Sequence, residues 1–382
     1  MSAIRYLKSK RSIDIIIISI SILLAGSLFI VAFHLLPIEN TSLGLDWRSI
    51  WESINRGHVQ FGNQGDTIGG MFTPPWGILF LLPFSFLPFR ESWALISYIT
   101  LIILCLVVPK LKNQKIDIIS IFLLVLSFPS LRNLADGNLE GLVIAGIALI
   151  VWGYNTSAPI LLSLGILLAT IKFQETWLFC FVILYYIKNN WLVSKKRRML
   201  VILGITITAS LLLWGEKWLE ALFITNPNEV GLTSVMGRGS LIDISLSATL
   251  SRLGLSKSII PVIGLLILGI TIWCIKCNPP GSFWSWQHTA LLISASMLLA
   301  PYVSGNSFLT IVAIGIVPLL KNDRFLGIAL MILAYIPYLM SRNFLYSYQA
   351  YYWTGLVFIT WVILAWKCLS MSSQPKEVDI TE

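Results

Sequence analysis

Residues Leu43 to Arg90 read LGLDWRSIWESINRGHVQFGNQGDTIGGMFTPPWGILFLLPFSFLPFR, and the rest of the chain is read from them. They form the longest polar interruption in the first half of a very apolar protein, and they hold Asp46, His58, Asp66 and seven glycines. After Phe72-Thr73-Pro74-Pro75-Trp76 the apolar residues resume, but Pro83 and Pro88 break them. Proline removes a helical N–H donor and clashes with the preceding turn, so a run this short and interrupted does not cross a bilayer comfortably. We expect a loop that folds back onto the membrane surface, with an interfacial or partly embedded helix over Trp76 to Phe89 and a carboxylate near its start.

The whole composition agrees with a membrane setting. Of 382 residues, 56% are hydrophobic and only 12% charged, and the mean hydropathy is +0.81. A soluble chain of this size needs far more polar surface, so the fold class is an all-α polytopic membrane protein. The apolar runs are continuous and do not alternate, which excludes a transmembrane barrel. A net charge of +9 might suggest nucleic acid as a partner, but the basic residues cluster in short loops between apolar runs. That is the positive-inside pattern, and it removes the need for nucleic acid. Cys105, Cys180, Cys274, Cys277 and Cys368 lie in or beside apolar runs and read as packing residues. The Cys274/Cys277 pair has no second pair and the histidines are scattered, so no metal and no cofactor is expected.

Charge sets the topology. Arg5, Lys8, Lys10 and Arg11 place the amino terminus in the cytoplasm, and Ile13 to Leu36 is long enough to stay as an anchor instead of a cleaved signal. If both Trp76 to Phe89 and Ser92 to Pro109 crossed, Lys110, Lys112 and Lys115 would lie outside, so only Ser92 to Val108 is taken as the second span. Further spans follow over Ile116 to Phe128, Gly141 to Tyr154, Ile160 to Ile171, Trp177 to Ile187 and Leu200 to Trp214. The remaining ones are Ile259 to Ile275, Thr289 to Val303, Phe308 to Leu320, Phe325 to Met340 and Tyr351 to Trp366. The expectation is about 12 transmembrane helices (about 11 to 13) in one domain over residues 1–370. Outer loops then occupy 37–91 and 215–258, a polar cytoplasmic tail occupies 371–382, and both termini are cytoplasmic in a plasma membrane.

This topology gathers the unusual polar residues on the outer side: Asp46, His58, Asp66, Asp136, Asn138, Glu140, Lys172, Glu175, Arg238, Asp243, Asn306 and Arg342. No Walker-type loop is present, so a donor on that face is expected to be membrane-borne. Asp46 suits a general base toward a hydroxyl, or caps the helix that follows it. Lys172, Arg238 and Arg342 suit a phosphate, although Lys172 at a span end could equally snorkel to headgroups or pair with Glu175. Asp136 and Asn138 read as ligands or as an Asx-turn. His58 reads as a site residue or an exposed one.

Certain of these stretches resemble a known family. Leu45-Asp46-Trp47-Arg48 through Gly57-His58 is similar to an Asp followed by a short amphipathic helix ending in Gly. Phe72-Thr73-Pro74-Pro75-Trp76, with Leu82-Pro83 and Leu87-Pro88, is similar to an aromatic-x-Pro-Pro element and its Pro-punctuated helix. Asp136-Gly137-Asn138 resembles a Gly-Gln-x-Asn loop, and Ala169-Thr170-Ile171-Lys172-Phe173 an Ala-x-x-Lys-Pro span end. Together they resemble the integral-membrane glycosyltransferases of the GT-C superfamily, most closely glycosyltransferase family 87, the polyprenol-phosphate-mannose-dependent mannosyltransferases. The family's Ser-Pro-x-x-Trp run followed by histidine is replaced here by Ala300-Pro301-Tyr302-Val303-Ser304-Gly305-Asn306, where Asn306 and Tyr302 are the neutral donors available.

The resemblance implies a GT-C fold with inverting transfer of a hexose such as mannose from a polyprenyl-phosphate sugar. The acceptor would be a lipid, glycan or protein on the extracytoplasmic face. Asp46 would be the base, and Lys172, His58, Asp136, Asn138, Glu175, Arg238, Asn306 and Arg342 the candidates for holding donor phosphate or substrate. The competing expectation is a membrane transporter or lipid flippase, whose ionisable groups would sit near the bilayer midplane.

Overall fold

The computed structural model describes residues 24–36, 43–55, 73–107, 118–222, 243–256, 258–280, 283–340 and 342–372, without the side chains of 342–347 and 371–372. His58, Asp66 and Arg238 lie outside the described residues, as does the side chain of Arg342. Among the described residues the protein is helical, apart from a single β-bridge between Asp243 and Ser304. Six helices are long and apolar enough to cross a membrane, or seven if the bent pair Ile118–Val125 and Phe128–Asp136 counts as one span. The molecule is a helical membrane protein.

The chain begins with α1 (Leu24–His34). It continues with α2 (Leu45–Asn55), α3 (Pro75–Ser85), α4 (Phe89–Val107), α5 (Ile118–Val125) and α6 (Phe128–Asp136). Next come α7 (Glu140–Asn155), α8 (Pro159–Ala169), α9 (Phe173–Asn190), α10 (Val193–Leu222) and the short α11 (Leu246–Arg252). The last part holds α12 (Ile259–Cys277), α13 (Trp286–Leu299), α14 (residues 308–322, with a π-helical turn over Val312–Ile316), α15 (Arg324–Tyr335) and α16 (Arg342–Ser372).

Two features differ from the sequence expectation. The residues that follow the span read over Ile116 to Phe128 continue as a second helix, α6, bent by 54° from α5, because Ser127 N-caps it and Pro129 stands in its first turn. The loop read as beginning at Gly215 begins later: α10 runs on through Gly215 to Leu222, since nothing in Trp214–Leu222 breaks a helix.

The first loop is anchored by tryptophans. Trp47 on α2 and Trp93 on α4 are fully buried. Trp47 donates to Ser92 Oγ at 3.0 Å, and Trp93 donates to the Leu134 carbonyl at 3.0 Å. Gly137, which ends α6 with φ 68°, lies under both rings. A Cβ there would stand 2.5 Å from the Trp47 Cβ, so only glycine fits both the left-handed backbone and the contact. The Gly44 N–H reaches the Ala135 carbonyl at 2.6 Å, tying the start of α2 to the end of α6.

Helices α8 and α9 are contiguous, 32 residues from Pro159 to Asn190, yet they form a hairpin. Asn190 donates to the Tyr154 hydroxyl at 3.3 Å, and Tyr154 stands just before the start of α8. A straight helix of that length would hold its ends about 48 Å apart. The reversal falls at Lys172, whose backbone leaves helical geometry (φ −119°, ψ 72°). Thr176 Oγ1 donates to the Ala169 carbonyl freed at the break, at 3.0 Å.

Close packing of α7 on α8 fixes the other arm. A Cβ on Gly146 would lie 2.3 Å from the Ala169 nitrogen, and one on Gly165 would lie 2.6 Å from the Ile150 nitrogen, so the backbones themselves touch. The two ends of the bundle then differ in character. One end gathers Asp46, Asp136, Glu140, Lys172, Glu175 and Asn306 (below). The opposite end holds the aromatic cluster Tyr154, Trp191 and Trp284, the basic turn with Lys188 and Lys196, and the Lys367–Asp323 ion pair.

Gly146→Ala is expected to lower stability to reversible unfolding in detergent micelles by about 1–3 kcal/mol, the usual cost of overpacking. Gly269→Ala, whose Cβ would meet nothing within 4 Å, should leave stability unchanged or slightly higher through helix propensity. Equal responses of the two variants would contradict the backbone contact.

Candidate functional site

Four helix ends and one loop converge at the polar end of the bundle. Asp46 comes from the first turn of α2, Asp136 from the last turn of α6, Glu140 from the start of α7 and Lys172 from the α8–α9 reversal. Asn306 comes from the 3-10 turn Gly305–Ser307 that leads into α14. Helix ends suit such a task because their unpaired backbone groups already require polar neighbours.

Lys172 lies at the bottom of the cluster. Its Nζ bonds Glu140 Oε1, a short charged contact, donates to Asn138 Oδ1 at 2.8 Å, and faces Glu175 Oε1 at 3.6 Å. Both glutamates are essentially without solvent exposure, at 0% and 1%. Thr310 Oγ1 donates to the second Glu140 oxygen, Oε2, at 2.6 Å, and Ser307 Oγ donates to Glu175 Oε1, the oxygen that faces Lys172, while the buried Glu175 Oε2 has no hydrogen-bond partner among the described residues. The ammonium thus makes two hydrogen bonds, to one carboxylate and one amide, with a second carboxylate at ion-pair distance. Lys172 points inward to these partners instead of snorkelling, and Glu175 is the neighbour that the sequence spacing suggests.

Asn138 relays this arrangement upward. With its Oδ1 taken by Lys172, its Nδ2 donates to Asp46 Oδ2 at 2.5 Å. Asn306 Nδ2 donates to the same Asp46 Oδ2 at 3.0 Å and to Asp136 Oδ2 at 3.0 Å. Two side-chain amides thus fix the half-buried Asp46 carboxylate through one oxygen. Its second oxygen, Oδ1, makes no hydrogen bond among the described residues. Asp46 therefore turns toward Asn138 and Asn306 and does not cap α2, and Asn138 holds Asp46 and does not cap α7.

Asp136 is steadied by Arg132 one turn earlier, Nε to Oδ2 at 3.5 Å, and Arg132 Nη1 donates to Gln349 Oε1 at 3.0 Å. Asn133 Nδ2 donates to the Asn306 carbonyl at 2.8 Å, which locks the 3-10 turn against α6. The segment before that turn is pinned from the other side. Asp243 Oδ1 accepts from the backbone N–H of Ser245 at 2.8 Å and of Val303 at 3.1 Å, and burial raises the Asp243 pKa above the usual carboxylate value despite these bonds.

The structure thus joins Asp46, Asp136, Asn138, Lys172, Glu175 and Asn306 of the sequence candidates. It leaves His58 and Arg238 outside the described residues and shows only the backbone of Arg342. Sequence reasoning misses Glu140 as the partner of Lys172, since it reads as one polar residue of an outer loop, and it misses Ser307, Thr310 and Arg132 as the groups that satisfy the carboxylates. The one available signal is that an acidic residue opening an apolar helix (Glu140) needs a cation when buried. Among the described residues no group of three or more His, Cys, Asp or Glu has the arrangement to hold a metal ion. In comparison with known proteins, no family model matches the chain, and neither a curated protein nor a solved structure is similar to it.

Asn306→Asp is expected to destabilise the protein by about 1–3 kcal/mol, because a donor is lost and a third carboxylate faces Asp46 and Asp136. Clustered carboxylates bind protons more readily when folded than when unfolded, so the deficit should shrink as pH falls from about 8 to about 5. Unfolding curves across that range check this, and a deficit that is constant or grows in acid would contradict the placement of Asn306.

Proposed function

We propose that the chain is an inverting glycosyltransferase of the GT-C type that moves a hexose, mannose first among them, from a polyprenyl-phosphate sugar to a lipid, glycan or protein acceptor. The observation that carries this reading is the Asp46 carboxylate, held through Oδ2 by Asn138 and Asn306 with Oδ1 left unbonded among the described residues. A base for such a transfer needs one oriented, ionised oxygen within reach of an acceptor hydroxyl. The hydroxyl proton passes to Asp46 Oδ1 as its oxygen bonds the anomeric carbon. The bond from that carbon to the phosphate oxygen breaks on the opposite face, and the electron pair leaves on the polyprenyl phosphate. No covalent enzyme intermediate and no metal enters these steps.

In this reading Lys172 acts at one remove. It polarises Asn138, which donates to the base, and its neutralisation by two glutamates keeps the buried base of the site rigid. Asn306 stands where the family resemblance places a histidine and supplies a neutral donor instead of a charged one. Among the described residues, runs between the two ends of the bundle number twelve when α2, α3 and α11 are left at the polar end and α5–α6 is taken as one, and six or seven helices are long and apolar enough to cross a membrane. That count supports the multi-span architecture with the carboxylate end extracytoplasmic and the Lys/Arg-rich end in the cytoplasm.

The competing reading is a carrier, and the Glu140–Lys172–Glu175 cluster favours it: ionisable groups among apolar helices often mark a transport path. The test is a proteoliposome assay with labelled mannose on polyprenyl phosphate and an envelope-lipid extract as acceptor. The protein is expected to transfer label, and Asp46→Asn to lose turnover by about 10²-fold or more, the scale of general-base catalysis. Undiminished turnover in Asp46→Asn would remove the mechanism, and label carried across the membrane without transfer would establish the carrier.

A further inference from the structure

Lys172 is held among Glu140, Glu175 and Asn138, which leaves open where an anionic group would be held. The neighbourhood of Gly305 answers this. Trp353 on α16 is 1% exposed, and its indole Nε1 has no hydrogen-bond partner among the described residues. Its ring is packed between Phe128, stacked at 6.2 Å, and Phe308 at 4.7 Å, so the direction of the N–H is fixed. Buried indole N–H groups are normally paired, so an unpaired one calls for an acceptor.

Arg132 supplies a second donor at the same point. A methyl group on Gly305 would lie 3.6 Å from Arg132 Nη1, 3.7 Å from Trp353 Nε1 and 3.5 Å from Trp353 Cδ1. All three are ordinary contacts, so the space beside Gly305 is open to an atom of that size. Nη1 spends one N–H on Gln349 and keeps one, while Asp136 occupies the Nε edge of the guanidinium. An oxygen a few tenths of an ångström nearer to the two nitrogens than that methyl would be within hydrogen-bond distance of both Arg132 Nη1 and Trp353 Nε1.

We propose that Gly305, Arg132 and Trp353 form a cradle for a phosphoryl oxyanion. Gly305 adjoins Asn306, which bonds Asp46, so an anion there lies next to the candidate base. The assignment of that anion as the phosphate of a polyprenyl donor rests on the transferase reading; the cradle itself does not.

The probe is farnesyl phosphate, with farnesol and inorganic phosphate as comparators, and binding to the full chain in detergent is read by titration. Farnesyl phosphate is expected to bind, and farnesol to bind more weakly. Arg132→Gln should weaken farnesyl phosphate by about tenfold or more through loss of a charge-assisted hydrogen bond. Gly305→Ala, which fills the space at normal contact distances, and Trp353→Phe, which removes only the N–H, should each weaken it several-fold and leave farnesol unchanged. Melting curves of Gly305→Ala matching the parent exclude misfolding as the cause. Competition by inorganic phosphate would make the ligand a soluble anion at the same cradle, and its failure to compete would make it a lipid headgroup. Farnesyl phosphate bound equally by the parent, Gly305→Ala and Trp353→Phe would overturn the cradle, as would no binding of either phosphate probe. Sugar transfer that ignores Gly305→Ala and Trp353→Phe would remove the cradle and spare the transferase, whereas cradle-dependent binding with no transfer would do the reverse.

Discussion

The structure turns on one lysine held between two buried glutamates at a point where two apolar helices reverse direction. Isolated charges in a low-dielectric interior cost several kcal/mol each, and a partner with good geometry offsets that cost only if the remaining donors and acceptors are also met. Around Lys172 they largely are, through Asn138, Ser307 and Thr310. The need to satisfy this cluster brings the start of α7, the α8–α9 turn and the 3-10 turn before α14 to one place. Removing any of them strands a charge.

Above that base, two neutral amides translate rigidity into orientation. Asn138 cannot swing away from Asp46 without releasing Lys172, and Asn306 cannot do so without releasing Asp136 and the Asn133 contact to its carbonyl. The Asp46 carboxylate is thus presented by helices and not by a loose loop, which is what an acid–base group needs in order to act at a defined atom. The four carboxylates of the cluster outnumber Lys172 and Arg132. Among the described residues the cluster therefore keeps a negative bias, and an anionic ligand is favoured on its Arg132 side.

How much of this the sequence discloses depends on the kind of force. The membrane fold is plain from continuous apolar runs, and the reversal at Lys172 is legible because a lysine in the middle of 32 apolar-rich residues has to sit at an end. The short helix α3 is legible from Pro74-Pro75, Pro83 and Pro88. Asp46, Asp136, Asn138, Lys172, Glu175 and Asn306 emerge as candidates because ionisable or amide groups beside apolar runs are costly unless used. Apart from the i,i+3 approach of Lys172 and Glu175, their mutual contacts are not legible, since Asn306 meets Asp46 across 260 positions and no spacing rule reaches that far. Glu140, Arg132 and Trp353 stay hidden for the same reason: an ordinary loop residue and an ordinary interfacial tryptophan acquire meaning only when the bundle closes around them. The bend at Ser127 depends on a cap followed by proline, a local signal that apolar continuity masks.

The most direct test of the buried clamp is a double-mutant cycle between Lys172→Met and Glu140→Gln, read by reversible unfolding in lipid–detergent mixed micelles. The account predicts a coupling of about 2 kcal/mol or more, because the second change removes the charge that the first leaves unpaired. Single-variant costs that add to within about 0.5 kcal/mol would contradict it.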